Sequence, residues 1–382
     1  MNFTFSDEQQ MLRASLRRFL EDRYPFELRM AAARSAEGLS LGIWKALTNE
    51  LGILGAGLPE DQGGLGGGPV EHMIIMEELG RALVLEPYLE TVIICAEILS
   101  RSEGNTAARA LEAVLSGELL LAFAWAEPDI GIDLSNIATL ALRDENGWLL
   151  SGRKTVVTAA PWAQQLIIAA RTDGADGDKT GISLFLVDKS QVGISLHDYS
   201  TIDGRRASDI VFENVSVPSD AILGVEGQAL PLLSEIADRA IAALCAEAIG
   251  GMAYLHAATM AYTKERKQFG KALASFQVLQ HRMADMLIEI ELATSAVYLA
   301  TIKLDDKPNV RAQAASAAKV MIGVACRFVG QNAVQLHGAM GMTDELAIGQ
   351  YYKRLMAISS EFGDEDHHRT RHASLSNWVL SV

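Results

Sequence analysis

Hydrophobic periodicity changes twice along this chain, and those two changes constrain its architecture more than any other feature. Up to about residue 118 the apolar positions fall at helical spacing. Met11, Leu12, Leu16, Phe19 and Leu20 form one stripe, as expected of a helix with one buried face. Ser6 with Glu8 and Gln9 reads as a helix start, because a serine hydroxyl can accept from the unpaired amides of the first turn. Helical patterning recurs over 71–83 and 89–100, with the glycine-dense loop LPEDQGGLGGG at 58–68. From about 119 to 225 the pattern shortens to β-rich runs: LLLAFAWAE, ATLALRD, GWLLSGRKTVVT, QLIIAART, ISLFLVD and SDIVFENVSVP. Turn residues such as Asp144-Glu145-Asn146-Gly147 and Asp173-Gly174 separate them, which predicts a barrel or sandwich of six or more strands. From about 227 long amphipathic runs return, over 232–265, 276–304 and 310–336. The expected domains are 1–118 helical, 119–226 β and 227–382 a helical bundle.

Size and composition fit that reading. The chain has 382 residues, 49% of them hydrophobic and 21% charged, enough for a sizeable core in two or three domains of roughly 150 residues each. Its 33 basic and 48 acidic residues leave a net charge of −15. That argues against nucleic acid as a partner, though not against a phosphate ligand held by local cations and helix N-termini. Cys95, Cys245 and Cys326 are far apart and make no CxxC pair, so they read as buried small hydrophobes in a reducing compartment. No run of 18 apolar residues is apparent and the N-terminus lacks a signal-peptide core. A cytoplasmic protein without a membrane span is expected.

Four segments in order give the chain a resemblance to the acyl-CoA dehydrogenase family: LPEDQGGLGGG (58–68), AEPDIGID (126–133) followed by GRKTVVT (152–158), ERKQFGKALASFQ (265–277), and QLHGAMGMT (335–343). The resemblance covers the whole chain. It implies an α+β multidomain fold: an N-terminal helical domain, a middle β-barrel and a C-terminal four-helix bundle, usually in oligomers. FAD is implied between the middle and C-terminal domains, with a neighbouring subunit completing its site. The implied chemistry is α,β-dehydrogenation of an acyl-CoA thioester. A carboxylate takes the α-proton, hydrogen bonds polarise the thioester carbonyl, and a β-hydride passes to flavin N5.

Carried over residue by residue, the resemblance assigns Thr158 to a hydrogen bond near flavin N5, and Trp125 and Ala126 to the lining of the isoalloxazine. Val156 stands where the family usually has Trp, with Trp162 nearby. Ala126 and Ile132 stand where it often has Thr and Ser. Arg266 matches the arginine that reaches the FAD pyrophosphate of the adjacent subunit, a role suited to a guanidinium fork. Phe269 and Gln277 match further FAD contacts, and Gln335, Gly338 and Gly341 a QxxGxxG segment lying against the pyrophosphate and ribityl chain. Glycine permits such backbone approach. His337 reads as structural.

The family's usual base lies near the C-terminus, but counting from Arg354 puts Gly363 at that position, flanked by Glu361 and Asp364. Relatives resembling the long-chain and isovaleryl enzymes place the base before an arginine early in the first long C-terminal helix, which here is Asp238-Arg239. Asp238 is therefore the expected base, with Glu361, Asp364, Glu247 or no base at all in this subunit as alternatives. Arg239 is expected near the thioester, or else paired to Glu235. The Gly363 backbone N–H is expected to polarise the thioester carbonyl, and the missing side chain to widen the pocket for bulky, branched or dicarboxylic acyl groups. The tail FGDEDHHRTRH resembles the small subunits of pimeloyl-CoA-type and steroid-side-chain-type dehydrogenases, which act in lipid or steroid degradation. Asp366, His367 and His368 are read as polar tail, not as a metal site. Expected partners are an acyl-CoA substrate, an electron-transferring flavoprotein, and either further copies of this chain or a related subunit. The competing readings are a base-deficient, FAD-holding subunit of a heteromer, and a flavin monooxygenase or oxidase.

Overall fold

The computed structural model describes residues 4–128 and 131–376. The elements run helical, β, helical. The first block holds α1 (Asp7–Arg23), α2 (Phe26–Arg34), α3 (Leu41–Asn49), α4 (Pro69–Arg81), a π-helical stretch (Leu89–Ala96) that continues as α5 (Glu97–Ser100), and α6 (Asn105–Leu115). The strands are β1 (Leu121–Ala124), β2 (Leu140–Asp144), β3 (Gly147–Thr158), β4 (Gln165–Arg171), β5 (Ile182–Asp188), β6 (Ile194–Ser200), β7 (Arg206–Pro218) and β8 (Ile222–Leu223). Then come α7 (Leu230–Glu265), a small hairpin of β9 (Lys267–Gln268) and β10 (Lys271–Ala272), α8 (Gln277–Ile302), α9 (Pro308–His337), α10 (Ile348–Ser360) and α11 (Glu365–Leu375).

By packing, the chain forms two compact units, each assembled from separate stretches. The first draws on the described residues of Met1–Met30, Pro69–Val84 and Ile241–Val382. Here α1 opens with a capping box: the Ser6 hydroxyl accepts from Gln9 N–H and the Gln9 side chain accepts from Ser6 N–H, which satisfies two first-turn donors. Leu16, Phe19 and Leu20 are buried as the stripe predicts, whereas Met11 is 68% exposed. Arg13 and Arg17 pair with Glu77 and Glu78 of α4 at 2.8 and 2.6 Å. The crossing of α4 with α7 is unusually close: a Cβ on Gly80 would sit 2.0 Å from the Glu247 carbonyl oxygen, and one on Gly250 1.8 Å from that of Glu77. Helix α9 packs against α8, α10 and α11.

The second unit comprises Ala31–Gly68 and Leu85–Ala240. Its eight-stranded sheet has the order β6-β7-β3-β2-β4-β5-β8, with β1 added in parallel on β4. The long β3–β7 pair shifts register between Leu150 and Gly152 and again between Lys154 and Val157. At the second shift Val156 takes φ +49°, costly for a β-branched residue, and its side chain is exposed.

The stretches Leu230–Glu265 and Pro308–Met342 are long and apolar enough to cross a membrane by length and composition. Yet 78% and 56% of their apolar windows are buried inside the protein, as in core helices. The three cysteines are buried and unbridged, and burial pushes the Cys245 thiol up to about 12.

Candidate active site

In the second unit, β1 ends in a loop tied down by a buried ion pair. Lys154 reaches across from β3 to bond Glu127 Oε1 at 2.6 Å and the Trp125 carbonyl at 3.1 Å. Glu127 also accepts from the N–H groups of Ala138 and Thr139 and from the Thr139 hydroxyl. Burial pulls the Lys154 ammonium down to about 8 against the opposing pull of Glu127. Burial alone would raise Glu127, but the Lys154 charge and the Thr139 hydrogen bonds outweigh it and hold the carboxyl below its ordinary range. The Ala126 carbonyl accepts from Thr155 N–H. Trp125 and Ala126 are thus fixed in direction by residues of the GRKTVVT strand. Asp129 and Ile130 of the AEPDIGID motif lie outside the described residues.

Thr158 closes β3 opposite Ala207. It is partly buried, and among the described residues its hydroxyl makes no hydrogen bond, so a polar ligand atom could pair with it. Trp162 does not stand in for the Trp that Val156 replaces. It is buried, and its indole N–H donates to the Glu37 carbonyl at 2.6 Å.

Asp238 is 1% exposed on α7. The neighbouring Arg239 turns to Glu235, one turn back, at 3.1 Å, and Arg101 reaches the same carboxylate oxygen at 3.4 Å. The ion pair weighed at the sequence level for Arg239 is therefore formed.

In the first unit, the tail segment has no room for the family's usual carboxylate. Gly363 has φ +109°, and a Cβ there would sit 2.6 Å from His367 Cδ2 and 2.9 Å from His368 Nε2. The expectation that this glycine widens a pocket is overturned: two rings of α11 already fill the space. The flanking acids are also committed. Glu361 pairs with Arg354 at 2.6 Å, and Asp364 caps α11 by accepting from His367 N–H at 2.9 Å. Arg354 uses its other nitrogens on both oxygens of Glu247, at 2.6 and 2.8 Å, deep in the unit. Glu247 is thereby joined through one arginine to the residues leading into Gly363.

Behind that segment lie two further buried polar groups. Lys319 of α9 donates to the carbonyls of Ser359 and Gly363 at 3.1 and 2.5 Å. His368 places Nε2 at 2.9 Å from the Phe362 carbonyl and Nδ1 at 3.3 Å from Ser316 Oγ. A carbonyl can only accept, so Nε2 carries the proton. Burial, aided by the Lys319 charge, holds this imidazole down to about 3 and so neutral. The Gly363 N–H, the expected thioester donor, lies 3.2 Å from the Ser360 carbonyl.

The remaining expected cofactor residues of this unit stay near the surface, except the buried Gly341. Phe269 and Gly270 form the two-residue turn of the β9–β10 hairpin with φ +54° and +80°, as tight hairpins require. Phe269 is 89% exposed. Arg266 is exposed, and its side chain makes no hydrogen bond or ion pair among the described residues. Gln277 is exposed at the first position of α8. Gly338, after the last turn of α9, has φ +62° and ψ −142° with open space where a Cβ would be. Gly341 differs: a Cβ would meet the Val334 carbonyl at 2.8 Å, so it serves close packing. Gln335 is exposed. His337 is buried, stacks on Tyr262 at 4.4 Å and bonds the Ala333 carbonyl at 2.8 Å; it is structural. An open glycine backbone, an uncommitted guanidinium and an exposed aromatic ring suit the pyrophosphate and rings of FAD, and so does the unpaired hydroxyl of Thr158. Replacing Gly338 by Ala is expected to lower FAD affinity on the order of tenfold, since left-handed strain of about 1–3 kcal/mol must be accommodated where a ligand approaches. Titration of the FAD-free chain with FAD checks this.

Sequence-level reading gave no role to Glu127, Lys154 and Lys319, used Arg354 only as a point to count from, and took His368 for polar tail, whereas it is fully buried. Strand parity was a usable signal for Lys154, which shares the inward face of β3 with Trp148 and Leu150. Arg354 sits in the buried stripe of Tyr351, Leu355 and Ile358, and Lys319 in that of Ala315, Ile322 and Cys326.

Three family descriptions match consecutively: acyl-CoA dehydrogenase N-terminal domain over residues 6–118, middle domain over 122–215 and C-terminal domain over 235–374. The chain is 32% identical over 357 residues to the caffeyl-CoA reductase-Etf complex subunit CarC of Acetobacterium woodii, covering 91% of this chain and 93% of that one. It is 31% identical to the mitochondrial isovaleryl-CoA dehydrogenase of Arabidopsis thaliana, covering 91% and 85%. Among solved structures it is similar to butyryl-CoA dehydrogenase from Megasphaera elsdenii, with a TM-score of 0.89 at 26% identity, covering 98% and 99%.

Proposed function

Because the chain belongs to the acyl-CoA dehydrogenase family, an FAD-dependent oxidoreductase family acting on acyl-CoA thioesters, we propose that it removes the α-proton with a carboxylate of α7 and not with one from the tail. The carrying observation is that Gly363 has no space for a side chain while Glu361 and Asp364 are already engaged. Asp238 is the base in this reading. It is a buried acid early in α7, and a carboxylate is a competent general base once ionised. FAD, when bound, supplies the hydride acceptor. The chain's own part is to hold it with Arg266, Phe269, Gly338 and Thr158, to exclude water, and to place the thioester carbonyl against backbone donors near Gly363.

A second reading assigns the base to Glu247. What favours it is the arginine link: both Glu247 oxygens bind Arg354, which also holds Glu361, two residues before Gly363. The D238N and E247Q variants decide between the two.

The acyl group in this reading is bulky, branched or dicarboxylic. Support comes from the similarity to isovaleryl-CoA dehydrogenase. Electrons pass to an electron-transferring flavoprotein, as the similarity to a subunit of an Etf complex supports. That relative is named a reductase; in the reverse direction the protonated acid would return the α-proton and reduced FAD would supply the hydride to the β-carbon. A heteromer with a related subunit and a homo-oligomer both remain compatible with the exposed Phe269 and Arg266. The test is anaerobic bleaching of the yellow protein by butyryl-, isovaleryl-, glutaryl- and steroid-derived CoA thioesters. Faster bleaching by any of the last three supports the reading, and a preference for butyryl-CoA contradicts the substrate class. Protein that is yellow yet bleached by none of them would favour a base-deficient subunit, and peroxide formation without an added acceptor would favour an oxidase.

A further inference from the structure

His368 and Lys319 hold the backbone on both sides of Gly363 and have no other role in the proposed chemistry. A trans peptide unit is planar, so its C=O and N–H point in opposite directions. His368 Nε2 binds the Phe362 carbonyl at 2.9 Å, and that carbonyl belongs to the same peptide unit as the Gly363 N–H. Fixing one therefore fixes the direction of the other. Lys319 binds the carbonyl of the next unit, that of Gly363, at 2.5 Å, and the Ser359 carbonyl at 3.1 Å. Both side chains are at most 1% exposed. His368 is itself held by Ser316 at 3.3 Å, and Arg371 donates to the same hydroxyl. The loop they hold does not relax into ordinary backbone: Phe362 and Gly363 have φ +55° and +109°. Among the described residues the Gly363 N–H meets the Ser360 carbonyl at 3.2 Å, at the long end for such bonds, so it is weakly engaged.

We propose that His368, braced by Ser316 and accompanied by Lys319, is a positioning residue that aims the Gly363 N–H at a substrate carbonyl. This rests on the dehydrogenase reading above. It also explains why an arrangement that excludes a side chain at position 363 still invests two buried polar groups in that loop.

The test uses the full chain with bound FAD and whichever of the butyryl-, isovaleryl- and glutaryl-CoA thioesters bleaches the wild type fastest. His368→Leu is expected to slow bleaching per bound FAD about tenfold to a hundredfold, no more than the roughly 10²–10³ seen when such a donor is deleted outright. KM should change little, and amide exchange over 359–364 should be faster. His368→Gln, which keeps an N–H donor, is expected to restore most of the rate. Ser316→Ala, a milder change that leaves the loop untouched, is expected to slow bleaching severalfold and serves if the leucine variant does not fold. A variant that lowers the melting temperature but bleaches at the wild-type rate per bound FAD would show a purely structural role and overturn the proposal. A wild type that no thioester bleaches would instead overturn the dehydrogenase reading, and this inference with it.

Discussion

Asp238→Asn is expected to slow anaerobic flavin bleaching by about 10²–10⁴-fold, the range over which a positioned general base contributes, while FAD content and fold are kept. The substitution is nearly isosteric, so packing around α7 is preserved. Asparagine cannot accept a proton in the pH range of the reaction, so what remains is positioning and carbonyl polarisation. Loss of rate without loss of FAD separates a base from a buried structural acid. Arg239 supplies an internal contrast. Its guanidinium pairs with Glu235 on the preceding turn, so Arg239→Gln is expected to change the rate far less than Asp238→Asn. Stopped-flow measurement at saturating thioester reads both.

The largest stability effect is expected at Arg354. Its guanidinium joins Glu247 on α7 and Glu361 at the end of α10, with the Arg354 and Glu247 side chains each 4% exposed. Arg354→Met removes the guanidinium that binds both oxygens of the buried Glu247 carboxylate, and breaking a buried ion pair from one side costs about 3–5 kcal/mol and on the order of 10 °C in melting midpoint. Glu247→Gln is expected to cost less, because Arg354 keeps Glu361 and the amide oxygen can still accept one bond. If Asp238 is the base, Glu247→Gln should bleach per bound FAD within about tenfold of the wild type, a 1.4 kcal/mol effect. If Glu247 is the base, the same variant loses the reaction. Thermal melts and bleaching on the same preparations give both answers.

The order helical, β, helical was legible because periodicity is a local property. Ser6 and Gln9 announced the start of α1, and the long apolar runs appeared as α7, α8 and α9 with ends displaced by a residue or two. The four motifs carried the family, because they report local backbone needs: a turn at Phe269-Gly270 and an open glycine at 338. What the sequence could not reveal were interactions between distant residues. Glu127 meets Lys154 across 27 positions, Lys319 meets Gly363 across 44 and Glu247 meets Arg354 across 107. Each joins elements whose adjacency is set by tertiary packing, and a charge inside an apolar stripe was the only local trace. The space beside Gly363 was illegible for the same reason. Removing a side chain opens space only if nothing returns to fill it, and α11 brings His367 and His368 back over Gly363.

The central claim is that proton removal has moved from the tail to α7. The most direct test is single-turnover flavin bleaching, per bound FAD, by the best thioester in four variants side by side: Asp238→Asn, Glu247→Gln, Glu361→Gln and Asp364→Asn. The expected result is loss of bleaching in an α7 variant, Asp238→Asn foremost, with both tail variants near the wild-type rate. Wild-type bleaching by both α7 variants, together with loss in Glu361→Gln or Asp364→Asn, would contradict it.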